Sequence, residues 1–375
     1  MPERLKPVAE QIIVITGASS GIGLATARRA AELGARVVLV ARNRQALDEA
    51  VEQIKLKGGR AAACDIDVAE PGAAQRIGAF TQDAFGPFDT WVNDAAVALY
   101  AKLEETAMDE HRRVFDVGYF GLVEASLYAA RELKSRGGAL INIGSVLSER
   151  AMIFQGTYSA MKHAVRGFTD ALRMELEEEG APVSVTLIKP NGIDTPYPEH
   201  ARNKLSDHAR IPPIVYDPEL VARAILFAAE NRKRELTVGG TGYMISKLGN
   251  LAPGMTDKVM EMIGYGIQTT DQPPRRGSND NLFRPRRDGD THSNRDIYVR
   301  KQSLALEAQM RPWAAAAILG GVAATLYALT RRRADGAAAG PETNALTAHQ
   351  TDGTDSSDQF EAMIADENMI PERLP

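Results

Sequence analysis

A chain of 375 residues, 44% of them apolar, has the composition of a globular protein that can bury one large α/β core and still carry extensions. Its single cysteine, Cys64, excludes an intramolecular disulfide framework, points to a reducing compartment, and reads as a small buried hydrophobe on a strand. The net charge of −5 is uneven: nine acidic residues against one arginine from Ala334 onward leave −8 there and about +3 elsewhere, a near-neutral body with no footprint for nucleic acid.

The opening MPERLKPVAEQ has no apolar h-region and is not expected to act as a signal peptide. Six short β-rich runs then follow, at Gln11–Thr16, Ala35–Ala41, Arg60–Asp67, Asp89–Asn93, Ala139–Gly144 and Val183–Pro190. The stretches between them have helical spacing and are rich in Ala, Leu, Arg and Glu. Strands alternating with helices predict a parallel sheet covered on both faces. A seventh run, Glu235–Gly240, follows a helix whose start is marked by Asp217 as N-cap and Pro218 at the first helical position. The α/β domain is therefore expected over residues 1–266.

At the first β-to-α turn stands TGASSGIG, with Gly17, Ser19, Ser20, Gly21, Ile22 and Gly23. A strand feeding a glycine-rich turn and a helix start lets backbone N–H groups approach a pyrophosphate, whose charge the helix dipole favours. Further along, GTYSAMKHAV sets Tyr158 and Lys162 four positions apart, on one face of a helix. A cation held there should favour the phenolate and draw the tyrosine from its usual value of about 10 toward the working pH, which suits a general acid/base.

These motifs, in this order, resemble the short-chain dehydrogenase/reductase family over about residues 10–245. The Gly-x-x-x-Gly-x-Gly spacing matches, WVNDAA with Asn93 resembles the family's Asn-Asn-Ala-Gly element, Ser145 precedes Tyr158 by thirteen residues, and KPNGIDTP with Pro190, Ile193 and Thr195 resembles the pattern after the sixth strand. The resemblance implies a Rossmann-type doubly wound α/β fold with a parallel sheet of about seven strands. It implies Ser145, Tyr158 and Lys162 as the catalytic set, Lys162 bonding the nicotinamide ribose and Ser145 the substrate oxygen. It further implies Asp67 against adenine, Ile193 and Thr195 against the nicotinamide carboxamide, and a homodimer or homotetramer. The chemistry implied is hydride transfer between a nicotinamide and a small-molecule carbonyl or alcohol.

The second strand ends VLVARNR, placing Ala41 where an NAD site would hold an acidic residue, with Arg42 next. An arginine there favours NADP(H) over NAD(H), because a guanidinium makes paired bonds to phosphate; the alternative is that Arg42 and Arg44 merely open a solvated helix. Two departures stand out. Gly118 occupies the position of a family asparagine thought to hold a water beside the lysine, and glycine loosens the helix while leaving its carbonyl to do so. Asp94 and Ala96 replace the second asparagine and the glycine of the Asn-Asn-Ala-Gly element and read as tolerated variation in support of the sheet. Tyr197–Tyr216 reads as a lid, with His200 and His208 as solvated or substrate-facing side chains and no metal spacing.

Beyond residue 266 the composition changes. Residues 267–311 are rich in Pro, Arg, Asn and Asp without periodicity and are expected to form a flexible linker. Pro312–Thr330 is an uncharged run of nineteen residues with Trp313 and Tyr327 near its ends and Arg331–Arg333 closing it, expected as a membrane-spanning helix; a helix packed on protein is the alternative. Residues 331–375 are expected as a disordered acidic tail. Basic residues flank the span on both sides, so orientation is taken from function: cytosolic NADPH places the catalytic domain on the cytoplasmic face. The expectation is a membrane-associated NADP(H)-dependent oxidoreductase acting on a hydrophobic or lipid-derived carbonyl. The rival is a non-catalytic NADP-binding membrane scaffold or redox sensor.

Overall fold

The computed structural model describes residues 5–273, 280–286 and 288–317, together with 320, 325 and 327. Seven strands, β1 (Ile12–Thr16), β2 (Arg36–Ala41), β3 (Arg60–Asp65), β4 (Thr90–Asn93), β5 (Gly138–Ile143), β6 (Val183–Pro190) and β7 (Glu235–Val238), form one parallel sheet. Its order is β7-β6-β5-β4-β1-β2-β3, so the winding reverses between β1 and β4. The connections leaving those two strands diverge, which opens a crevice at their carboxyl ends.

Both faces are covered, which is why β1 reads as a continuous apolar run rather than an alternating one. Ile13 and Ile15 pack on one side with Leu24 of α1 (Gly21–Glu32) and with Val221 and Ile225. Ile12 and Val14 pack on the other side with Trp91, Ile77 and Leu133. Cys64 is buried in that second layer, as expected, and burial pushes its thiol up to about 11. The remaining helices are α2 (Arg44–Leu56), α3 (Ala73–Ala84), α4 (Met108–Phe115), α5 (Gly121–Leu133), α6 (Gly156–Glu178), α7 (Tyr197–His200), α8 (Pro218–Glu230), α9 (Gly240–Leu251), α10 (Pro253–Gln268) and α11 (Leu304–Met310). Helix α8 starts where the sequence marks it: the Asp217 carboxylate accepts from the Glu219 N–H at 2.9 Å, and Pro218 fills the position whose N–H no helix bond needs.

The linker expected over 267–311 is corrected. The compact unit runs through Ala316, and the described part of that stretch folds back over the sheet. Val299–Arg300 pairs in parallel with Val215–Tyr216. Leu306 of α11 is fully buried, and the Gln309 side chain satisfies edge strand β7, accepting from the Thr237 N–H at 2.9 Å and donating to its carbonyl at 3.0 Å. Composition concealed this because the stretch is held by single apolar plugs and long-range backbone bonds, neither of which has a period. The expected span 312–330 lies largely outside the described residues, and the tail 331–375 wholly so; among the described residues no helix is long and apolar enough to cross a membrane.

Candidate active site

The turn after β1 is shaped by glycines that no other residue could replace. Gly17 has φ +72°, and a Cβ on it would stand 2.9 Å from the Ala95 backbone after β4; a Cβ on Gly23 would meet the Gly17 carbonyl at 2.4 Å. The loop thus lies flat against the sheet and presents Ser19, Ser20, Gly21 and Ile22, at the start of α1, to a cavity of about 520 Å³. The same cavity is lined by Ala41, Arg42 and Asp67 at one end and by Ser145, Tyr158, Lys162, Pro190, Ile193 and Thr195 at the other. It therefore joins nearly every residue singled out in the sequence.

Asn93 and Gly23, which the resemblance also implies as cofactor contacts, do not line it. The Asn93 amide is buried behind the sheet, where it donates to Ser126 Oγ at 3.0 Å and to Asn142 Oδ1 at 2.9 Å and accepts from the Trp91 indole at 2.9 Å. Its role is to lock β4 to β5 and α5. Gly23 lets α1 sit on the turn.

Ser145 follows β5 and caps the 3₁₀ turn Val146–Ser148, its Oγ accepting from the Leu147 N–H at 3.1 Å. Both Ser145 and Tyr158 line the cavity, and the Ser145 side chain acts to favour the Tyr158 phenolate. Lys162, one turn further along α6, donates from Nζ to the Ile143 carbonyl at 2.6 Å and lies 5.6 Å from the centre of the Tyr158 ring. The electrostatics differ from the expectation of a tyrosine drawn down by its lysine. Burial pushes the Tyr158 phenol far up, Asp94 pushes it further, and only the Ser145 side chain favours the phenolate. Burial also lowers Lys162, while Asp94 holds its charge. Asp94 itself is raised by burial and drawn back by Lys162. A residue that read as sheet support is thus tied electrostatically to Lys162.

Gly118 falls within a π-helical turn, Asp116–Phe120, between α4 and α5. A side chain on it would stand 2.7 Å from Met161 Cε, so the fully buried Met161 fills the space that a larger residue would need. Gly118 and Met161 are a fitted pair.

The adenosine end has partners that the sequence did not reveal. Asp67 accepts from Arg113 Nη2 at 2.5 Å and stands 3.8 Å from Arg42 Nη1. Arg42 Nη2 donates to the Asn281 carbonyl at 2.5 Å, whereas its Nη1 is buried with no hydrogen-bond partner among the described residues. Residues 288–290 run over the glycine turn: Ser19 Oγ donates to Asp288 at 2.9 Å, the Gly289 N–H to the Ser19 carbonyl at 3.0 Å, and the Gly21 N–H to the Asp290 carbonyl at 2.9 Å. His200 is not a solvated lid residue, since its Nε2 stands 3.2 Å from Asp288 and burial lowers its pKa. A glycine cradle whose turn excludes any Cβ, an orphaned guanidinium nitrogen and a helix start facing one long cavity fit a dinucleotide: Gly17–Ile22 and Arg42 would hold its phosphates, and Ile193, Thr195 and Lys162 its nicotinamide half.

Comparison with known proteins agrees with this geometry. The family model described as short chain dehydrogenase matches residues 11–206. The chain is 42% identical over 324 residues to the oxidoreductase YxnA of Bacillus subtilis (strain 168), itself named as uncharacterized, covering 86% of this chain and 91% of that protein. It is 34% identical over 197 residues to a 3beta-hydroxysteroid dehydrogenase of Mediterraneibacter gnavus, covering 51% of this chain and 69% of that protein. Among solved structures, L-sorbose reductase from Gluconobacter frateurii, complexed with NADPH and L-sorbose, superposes with a TM-score of 0.54 at 26% identity, covering 64% of this chain and 97% of that one.

Proposed function

Since this chain belongs to the short-chain dehydrogenase family and is an NAD(P)-dependent oxidoreductase of CH–OH and C=O groups, we propose that it uses NADPH to reduce the carbonyl of an apolar, lipid-derived substrate. The observation that carries this reading is one cavity in which Arg42, its Nη1 without a hydrogen-bond acceptor among the described residues, stands at one end and the Ser145, Tyr158 and Lys162 set at the other.

A nicotinamide, when bound, supplies the hydride. The residues of the chain then do three things. Ser145 and Tyr158, which line the same end of the cavity, receive the carbonyl oxygen, so that two hydroxyl donors face the charge that develops there. Tyr158, held protonated by burial, gives up its proton to that oxygen. Lys162 and Asp94 form a compensated charge pair beside it, which steadies the site as the phenol loses its proton.

Two observations support the finer choices. Ala41 stands where an acidic residue would bond a free ribose hydroxyl, with Arg42 beside it in the cavity, and the similar L-sorbose reductase is complexed with NADPH. The substrate end is walled by Leu147, Met152, Tyr197, Ile211, Met260 and Ile263, an apolar surface suited to a bulky hydrophobic carbonyl, and a 3beta-hydroxysteroid dehydrogenase is among the similar proteins. The test is NADPH oxidation across aromatic, steroid-like and long-chain carbonyls, repeated with NADH and with Tyr158→Phe. Turnover that prefers NADPH and vanishes in the variant supports the reading. Binding without turnover across the whole panel would replace it with the scaffold.

The proposal includes association with a membrane through residues 312–330, with the catalytic unit on the cytoplasmic side; flotation of the full chain with vesicles, lost on deleting that run, tests the association. It also includes a homodimer through α5 and α6, whose Phe120 flank, Leu127 and Met174 leave apolar side chains exposed. Light scattering on the purified chain decides that.

A further inference from the structure

We propose that the strap of residues 280–290 supplies the second half of the dinucleotide-phosphate site, with Arg286 meeting the cofactor's phosphates in the cavity that Arg42 also lines. The inference rests on the reading of the cavity as an NAD(P) site and extends it to a part of the chain beyond the matched family region at 11–206.

The strap is fastened at the adenosine end by groups of the nucleotide half. Asn43 Nδ2 donates to the Arg286 carbonyl at 2.6 Å, Arg42 to the Asn281 carbonyl at 2.5 Å, and Arg113 Nε to the Leu282 carbonyl at 2.9 Å. Leu282, fully buried among Val68, Val114 and Leu122, plugs the strap into the core. At the other end it latches the lid: Arg286 Nη1 donates to the Glu199 carbonyl, and the Asn281 N–H to the His200 carbonyl at 2.9 Å. Arg286 therefore spans the crevice between strand β2 and helix α7.

Arg286 and Asn281 line the same cavity as Gly17–Ile22 and Arg42. Three buried polar atoms of this wall, Arg42 Nη1, Arg286 Nε and Asn281 Oδ1, have no hydrogen-bond partner among the described residues. A buried guanidinium N–H left without an acceptor is costly, and two of them lining one cavity are what an anion with several oxygens would satisfy. Of the carboxylates nearby, Asp67 accepts from Arg113 and Asp288 Oδ2 from Ser19, whereas Asp288 Oδ1 and Glu199 Oε2 are buried without a hydrogen-bond partner among the described residues, so the anion would sit on the Arg42 and Arg286 side of them. The strap is a wall and not a filler, because with it in place the cavity still runs from Ala41 and Ile66 to Tyr158 and Ile193. The similarity to YxnA covers 86% of the chain, so it cannot stop short of this stretch.

The experiment is calorimetric titration of the full chain with NADPH and with NADH, needing no turnover. Arg286→Gln is expected to weaken NADPH binding about tenfold, Arg286→Lys to restore part of it, and Arg284→Gln, which removes the same charge from an exposed neighbour, to leave it unchanged. Weakening of NADPH alone assigns Arg286 to the 2′-phosphate; equal weakening of both dinucleotides assigns it to the pyrophosphate. Unchanged or tighter binding in an Arg286→Gln protein with the parental melting temperature overturns the proposal, as does an equal loss in Arg284→Gln. A parent that binds NADH better than NADPH refutes the Arg42 reading while leaving the Arg286 comparison legible through the pyrophosphate.

Discussion

The cavity has two walls of different construction. One, from β1 to β6, is built by elements whose residues alternate with a period and whose turns carry glycines in fixed places. The other, the strap, is held by Leu282 and a few bonds to its backbone reaching across more than two hundred residues, and α11 beyond it is held in the same way by Leu306 and one glutamine. The first wall announces itself in sequence because each part is a local solution to a local problem. The second becomes visible only once the first has folded and offers it groups to meet. Proximity to chemistry therefore does not follow legibility: an unpatterned stretch can complete a site as closely as a motif does.

The largest expected effect lies on the patterned wall. Tyr158→Phe should reduce carbonyl turnover by about 10²- to 10⁴-fold, measured as NADPH oxidation, while calorimetry finds dinucleotide binding retained. A comparable test of the other wall is Leu306→Ala. If α11 is integral to the domain, the variant should lose about 2–3 kcal/mol in denaturant unfolding, like a core leucine elsewhere. An unchanged midpoint would reduce α11 to a loose appendage and restore the linker.

Arg42→Ala should weaken NADPH by about 1.5–3 kcal/mol, and NADH by less, because the charge-assisted bonds it removes are to phosphate. Equal losses would move Arg42 from the 2′-phosphate to general support of the strap. Gly118→Asn should cost about 1–3 kcal/mol by pressing on Met161, and pairing it with Met161→Ala should recover part of the loss. The smallest change is in pH dependence. Asp94 raises Tyr158, so Asp94→Asn should lower the phenol pKa and bring the alkaline fall of the reduction rate, where Tyr158 loses the proton it must donate, to lower pH. A fall that stays in place would separate Asp94 from the proton donor.

The sheet was readable almost to the residue: β6 spans Val183–Pro190 as expected, and the ends of the other strands move by one or two positions. That Ser145, Tyr158 and Lys162 would meet in one cavity was readable because they are fixed by the ends of β5 and α6. That Asn93 would not line it was not readable, because a side chain's face at the end of a buried strand depends on its neighbours in space, here Ser126 and Asn142. Asp94 was undervalued for the related reason that a carboxylate acquires its meaning from the burial and the cation around it. Arg113, Asn281 and Arg286 carry no pattern at all; only the closing of the chain brings them to Asp67 and Arg42.

Gln309 has one further effect. By occupying both backbone groups of Thr237 it ends the hydrogen-bond ladder at β7, so a second copy finds no open donor and acceptor at that residue on which to extend the sheet. Self-association of this chain is thereby steered away from strand addition at this margin and toward side-to-side contact of helices, where its geometry is set by side-chain shape.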